Sequence, residues 1–163
     1  MGIPHVFCCE GSDNQIDNLN GEISINAVNR SLECLQTYFG YECFRGEQEK
    51  IIDRVCRGGH ALVLMPTGGG KSLCFQIPAI LRHGTGVVVS PLIALMQDQV
   101  QQLRQNGVKA AYINSSLSMD ELRVVEHQAA QGELDLLYMA PERLLTDYGE
   151  RLLSRMQLSL IHI

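Results

Sequence analysis

The hydrophobic positions change period at about residue 60. Before that point Val28, Leu32, Leu35 and Phe39 recur at helical spacing, and Gly40 supplies a stop, because glycine readily takes the left-handed conformation that closes a helix. A second helix is expected from about Gly46 to Cys56, burying Ile51, Ile52 and Val55 and ended by Gly58-Gly59. Beyond it, short apolar runs alternate with amphipathic stretches. The runs at 61–65, 86–90, 110–113, 135–139 and 158–163 predict strands, and the stretches at about 71–82, 92–105, 119–131 and 142–155 predict helices. Pro78 has no N–H and should bend the first of these helices. Ser118 and Glu121 make a capping box for the third, and Gly132 closes it.

Short apolar strands alternating with helices predict an α/β fold, a parallel sheet covered by helices on both faces. Ligands of such sheets sit at the carboxyl ends of the strands. Residues 1 to about 25 are rich in Gly, Asn, Asp, Ser and Cys without a sustained period, and they read as a disordered lead-in. The folded domain is expected over 26–163.

Composition narrows the setting. With 163 residues, 45% of them apolar, the chain can fill the core of one domain. No stretch approaches the roughly 20 apolar residues of a membrane span, so no membrane partner is expected. The N-terminus lacks a basic region followed by an apolar block, which argues against export. None of the six cysteines (Cys8, Cys9, Cys34, Cys43, Cys56, Cys74) falls in a C-x-x-C pair, and no histidines stand at metal-ligand spacing. Zinc is therefore not expected. Cys34, Cys56 and Cys74 read as buried reduced thiols, which suits a cytoplasmic setting. The net charge of -5 gives no global attraction to nucleic acid. Any such contact has to come from local dipoles and a few placed side chains. The polar stretch from Gln97 to Gln105 reads as a solvated helix face.

One loop carries most of the chemistry. Met65-Pro66-Thr67-Gly68-Gly69-Gly70-Lys71-Ser72 follows an apolar strand and leads into a helix, the order a phosphate-binding loop requires. Glycines let several N–H groups converge on one anion, and the following helix adds its positive end. Lys71 can place its charge on the β- and γ-phosphates, and the Ser72 hydroxyl can ligate Mg²⁺. The strict G-x-x-x-x-G-K-S form is not met, since its first glycine would fall at Met65.

Several segments together resemble RecQ-type DNA helicases of superfamily 2. Phe39-Gly40-Tyr41-Glu42-Cys43-Phe44-Arg45-Gly46-Glu47-Gln48 looks like their adenine-reading motif, and Met65 to Ser72 like their motif I. Val88-Val89-Ser90-Pro91-Leu92-Ile93-Ala94-Leu95-Met96-Gln97-Asp98-Gln99-Val100 is similar to their motif Ia. Asn114-Ser115-Ser116 and Leu137-Tyr138-Met139-Ala140-Pro141-Glu142-Arg143-Leu144 match two further segments, in the expected order.

The resemblance covers roughly residues 30–163. It implies part of the first RecA-like domain of an ATP-dependent helicase that moves 3′ to 5′ on single-stranded or forked DNA, in repair and recombination. The setting implied is the cytoplasm or nucleoid of a bacterium, or a eukaryotic nucleus. By that likeness the cofactors are ATP and Mg²⁺, with Arg45 and Gln48 contacting adenine and Tyr41 packing beside it. Pro66, Thr67, Gly68, Gly69, Gly70, Lys71 and Ser72 would hold the phosphates. Lys71 and Ser72 are the catalytic candidates, and Ser72 the Mg²⁺ ligand. Ser90, Pro91, Asn114 and Ser115 are DNA-binding candidates, because amides and hydroxyls at strand ends bind phosphates without a basic patch. Glu142 and Arg143 join them because the resemblance puts their segment near the family's DNA-binding face.

One departure stands out: the family commonly has Pro-Gly where this chain has Gly46-Glu47. The family's acidic Mg²⁺-binding motif should follow the last strand, so the chain is expected to be cut just before it and inactive alone. A nucleotide-binding module without catalysis, a DEAD-box-type RNA helicase and a small-molecule kinase remain as alternatives. The last explains no segment outside the loop.

Overall fold

The computed structural model describes residues 29–163 and the two-residue strand β1 (Val6–Phe7). The expected lead-in otherwise lies outside the described residues. The chain forms two compact units, Met1–Leu81 and Arg82–Ile163.

In the first unit, helix α1 (29–39) is α-helical over 29–34 and ends in a wider π-helical turn, Leu35–Phe39. Gly40 stops it as expected, at φ 70° with its N–H on the Gln36 carbonyl. Helix α2 (Gln48–Cys56) starts two residues later than expected, because Gly46 sits at φ 54°, outside any right-handed helix. Gly58, at φ 87°, marks its end. Helix α3 (Leu73–Leu81) contains Pro78. Cys34 and Leu35 of α1, Ile52 of α2, and Leu73 and Ile77 of α3 form the buried core of this unit. Each fully buried Leu or Ile there stabilises it by about 1.5–3 kcal/mol.

The strand before the glycine loop departs from expectation. Strand β2 is only Leu62–Val63, and it pairs antiparallel with β1, Val6 opposite Val63 and Phe7 opposite Leu62. Leu62 and Leu64 are exposed. An apolar run states that a segment is extended; its partner is chosen by distant main-chain groups that the run does not reveal.

The second unit alternates strand and helix: β3 (Thr85–Val89), α4 (Ile93–Gln105), β4 (Ala110–Ile113), α5 (Met119–Ala130), β5 (Leu136–Met139), α6 (Pro141–Leu144), α7 (Asp147–Arg155) and β6 (Leu158–His162). The four strands make one sheet in the order β4-β5-β3-β6, every neighbouring pair parallel. This is the predicted α/β class. All four residues of β5 are buried, as a central parallel strand with both faces covered requires. On one face Val87, Ala111, Ile113, Leu137 and Met139 pack against Leu122, Val125 and Ala129 of α5 and Leu152 of α7.

The helix expected over 142–155 is two helices. Thr146 is extended (φ -112°, ψ 158°), and its hydroxyl accepts the Gly149 N–H, so it caps α7 and breaks the run. At Gly149 an added Cβ would lie 2.4 Å from the Arg143 and Leu144 carbonyl oxygens, so the corner is closed to side chains there.

The capping box at Ser118 is present: its hydroxyl accepts the Glu121 N–H, and the Glu121 carboxylate accepts the Ser118 N–H. Strand β4 lies at one margin of the sheet. Its Lys109 and Ile113 flanks bond to β5 and the residues around it, while the Ala110 carbonyl accepts the Arg104 Nε–H at 2.6 Å.

Candidate functional site

Met65 to Ser72 folds as an exposed turn between β2 and α3. Gly68 and Gly70 take φ 81° and 77°, conformations that L side chains resist. Gly69 closes the turn with its N–H on the Pro66 carbonyl at 3.0 Å. The N–H groups of Gly68, Gly70, Lys71 and Ser72 donate to no acceptor among the described residues. Lys71 folds back over the turn, its ammonium donating to the carbonyls of Met65 at 2.6 Å and Pro66 at 3.2 Å. Ser72 is half-buried where the helix begins, its carbonyl accepting the Gln76 N–H.

Uncommitted amides, a fixed ammonium and a hydroxyl at a helix start fit a triphosphate with Mg²⁺: anions are gripped by such amides, and a hard cation takes oxygen ligands such as Ser72. Cys74, one turn on, is buried, and burial pushes its thiol up to about 11, so it stays protonated and plays no charged role.

The segment resembling an adenine-reading motif is joined to this turn. Tyr41 is exposed, and the Arg45 guanidinium lies over its ring, 5.7 Å from the centroid. This stacked pair leaves a planar surface that suits a base. Gln48 is turned the other way. It is 2% exposed, its Oε1 accepting the Arg45 N–H at 2.8 Å. Its Nε2 donates to the Gly70 carbonyl at 3.2 Å and the Gly69 carbonyl at 3.4 Å.

The Gly46-Glu47 departure has a backbone meaning as well, since proline cannot adopt the φ of 54° found at Gly46. Glu47 is held by Lys50 at 2.9 Å.

The second unit gathers the other candidates at one end of its sheet. The Ser90 N–H donates to the Met139 carbonyl and the Ala140 N–H to the Ile113 carbonyl. Ser90-Pro91, Asn114-Ser115 and Glu142-Arg143 thus leave three adjacent strands side by side. The Ser90 hydroxyl accepts the Leu92 N–H at 3.3 Å, in front of α4. Pro91, Ser115 and Glu142 are exposed, Arg143 half-buried and Asn114 fully buried. Asn114 Oδ1 accepts the N–H and hydroxyl of Ser116, while its buried Nδ2 has no partner among the described residues.

Gln97, read from sequence as part of a solvated face, donates to the Ser116 hydroxyl at 3.4 Å and ties α4 to this loop. The Asn-x-Ser spacing was the available signal for Ser116, since Asn side chains commonly bond the main chain two residues on.

Residues 45–161 match the DEAD/DEAH box helicase family. The chain is 45% identical over 133 residues to the ATP-dependent DNA helicase RecQ of Pasteurella multocida, which covers 82% of this chain and 21% of the relative. To proteins of the same name it is 47% identical in Synechocystis sp. (78% of this chain, 27% of the relative). In Bacillus subtilis the identity is 42% (83% and 23%). The chain therefore spans between about a fifth and a quarter of the length of these relatives. With the match running from Arg45 to Ile161 and enclosing the glycine turn, the chain belongs to the DEAD/DEAH box helicase family.

Proposed function

We propose that the chain is the ATP- and DNA-binding portion of a RecQ-like 3′–5′ DNA helicase, part of the first RecA-like motor domain, acting in repair and recombination on single-stranded or forked DNA. One observation carries the nucleotide half: several amides that donate to no acceptor among the described residues share one exposed turn with the Lys71 ammonium. The base would lie by Tyr41 and Arg45, the phosphates on residues 66–72, and Mg²⁺ on Ser72. Bound there, Mg²⁺ would neutralise phosphate charge and orient the terminal group. Lys71 would leave the Met65 and Pro66 carbonyls for phosphate oxygens, stabilising charge that develops there.

The likeness to proteins named DNA helicases supports DNA over RNA for the second-unit loops. Stronger binding to single-stranded RNA than to DNA of the same sequence would reverse that choice. Around the turn the chain's own residues would bind and polarise phosphate, while Glu47 is paired with Lys50. The activity read from these residues is nucleotide binding. Hydrolysis and unwinding are proposed for a protein of the relatives' length.

The test is titration of ATP with Mg²⁺ into the chain and its Lys71→Ala variant. Loss of one charge-assisted contact, about 1.5–3 kcal/mol, predicts roughly 10- to 100-fold weaker binding by the variant. Equal affinities would remove the phosphate role of the turn.

A further inference from the structure

We infer that Gln48 is a positioning residue for the phosphate turn itself, acting on the triphosphate whatever base is attached. The inference rests on the nucleotide reading of the turn and adds to it a second role for the residue that the resemblance assigns to adenine.

The argument begins with peptide geometry. In a planar trans peptide the C=O and N–H point in opposite directions. The Gly69 carbonyl shares its peptide plane with the Gly70 N–H, and the Gly70 carbonyl with the Lys71 N–H. Gln48 Nε2 donates to both of those carbonyls. Holding them toward α2 turns the Gly70 and Lys71 amides the opposite way, and both donate to no acceptor among the described residues.

The strut is itself anchored. Gln48 Oε1 accepts the Arg45 N–H at 2.8 Å, and the side chain is 2% exposed. The packing is close enough that a Cβ on Gly70 would stand 2.2 Å from Nε2. A glycine turn has little intrinsic preference for one conformation, so an outside clamp on its carbonyls reduces what ligand binding has to order.

Adenine recognition alone predicts something different: Gln48 would then matter for ATP and not for a phosphate chain lacking a base. The experiment therefore measures binding of inorganic tripolyphosphate with Mg²⁺, and of ATP with Mg²⁺. The proteins are wild type, Lys71→Ala, Gln48→Met and Gln48→Glu, each first checked by thermal melting. Gln48→Met keeps the volume and removes every hydrogen bond. It is expected to weaken tripolyphosphate and ATP alike, by roughly 10-fold for about 1.4 kcal/mol of lost bonding.

Gln48→Glu supplies a readout that general loosening of the fold would not move. Its ionised carboxylate repels the two carbonyls, whereas its protonated form again offers one O–H donor. Burial raises a carboxyl's pKa. Of the charged neighbours, Glu47 is paired with Lys50, Arg45 lies on Tyr41, and Lys71 is held by Met65 and Pro66. Relative to wild type at each pH, the Glu variant should bind tripolyphosphate progressively better as pH falls from 8 to 5, while the Met variant stays at a constant deficit.

Tripolyphosphate affinity unchanged in Gln48→Met, with ATP affinity reduced, would overturn the inference and leave the nucleotide reading standing. A flat pH ratio for Gln48→Glu would overturn it too. Equal binding by wild type and Lys71→Ala would instead defeat the nucleotide reading.

Discussion

Two loops that follow strands have been built on opposite plans. The turn at 65–72 has three glycines in a row and no side chain of its own on its amides. It is shaped by Gln48 of α2 on the Gly69 and Gly70 carbonyls and by its own Lys71 folding back on the Met65 and Pro66 carbonyls. The loop at 114–118 is shaped from within: Asn114 Oδ1 takes the Ser116 N–H and hydroxyl, and Ser118 opens the capping box. The first plan leaves amides free for an anion. The second spends them on the loop's own side chains. A loop therefore needs bare main chain, together with something else to fold it, before its amides can serve a ligand.

Substitutions can break this contrast. Gly70→Ala should do the most damage, because it forces a side chain both into φ 77° and against Gln48. A cost of about 2 kcal/mol or more is expected, with ATP affinity lost in parallel; thermal melting and ATP titration check it. Asn114→Ala removes the acceptor that fastens the second loop, which should cost about 1–2 kcal/mol in a denaturant melt. Its ATP affinity should remain that of wild type, and a fall would show that the two loops are not independent.

Gly68→Ala isolates backbone conformation alone, since nothing lies within 4 Å of the added Cβ and only φ 81° opposes it. About 1 kcal/mol is expected, less than for Gly70→Ala, and equal losses would argue against the clamp by Gln48.

The smallest effect concerns Glu121. Hydrogen bonds from Ser118, first its hydroxyl and then its N–H, hold the Glu121 carboxyl below the usual range. Its pKa is lower folded than unfolded, so this contribution is present above the unfolded value of about 4.3 and fades as pH falls through the folded one. Melting temperature followed from pH 7 to 3 should therefore fall more steeply in wild type than in Glu121→Gln. Parallel curves would show that the box contributes nothing.

Much of this was legible in the residues. Strand β4 ran where its apolar run predicted, at Ala110–Ile113, and Gly40, Ser118 and Gly132 closed or capped helices as their chemistry requires. Local patterns carry such features because their causes are local. The partner of β2 was not legible, since main-chain pairing depends on groups far along the chain. The break between α6 and α7 could have been read from Thr146, with Asp147 and Glu150 in the next turn, but the helical period ran through it.

Gln48 was half legible. Its spacing of three and four residues from Ile51 and Ile52 places it on the buried face of α2. Nothing in that spacing names the Gly69 and Gly70 carbonyls as its partners. The three strand ends carrying Ser90, Asn114 and Glu142 became neighbours only through the order β4-β5-β3.

The guanidinium on the Ala110 carbonyl has a consequence for solubility. A bare marginal strand is a template onto which a stray extended segment can dock, and its first foothold is an outward-facing oxygen. Here that foothold is already taken by Arg104, and Lys109 beside it is exposed and charged. An intruding chain that paired at Ala110 would have to evict an arginine first.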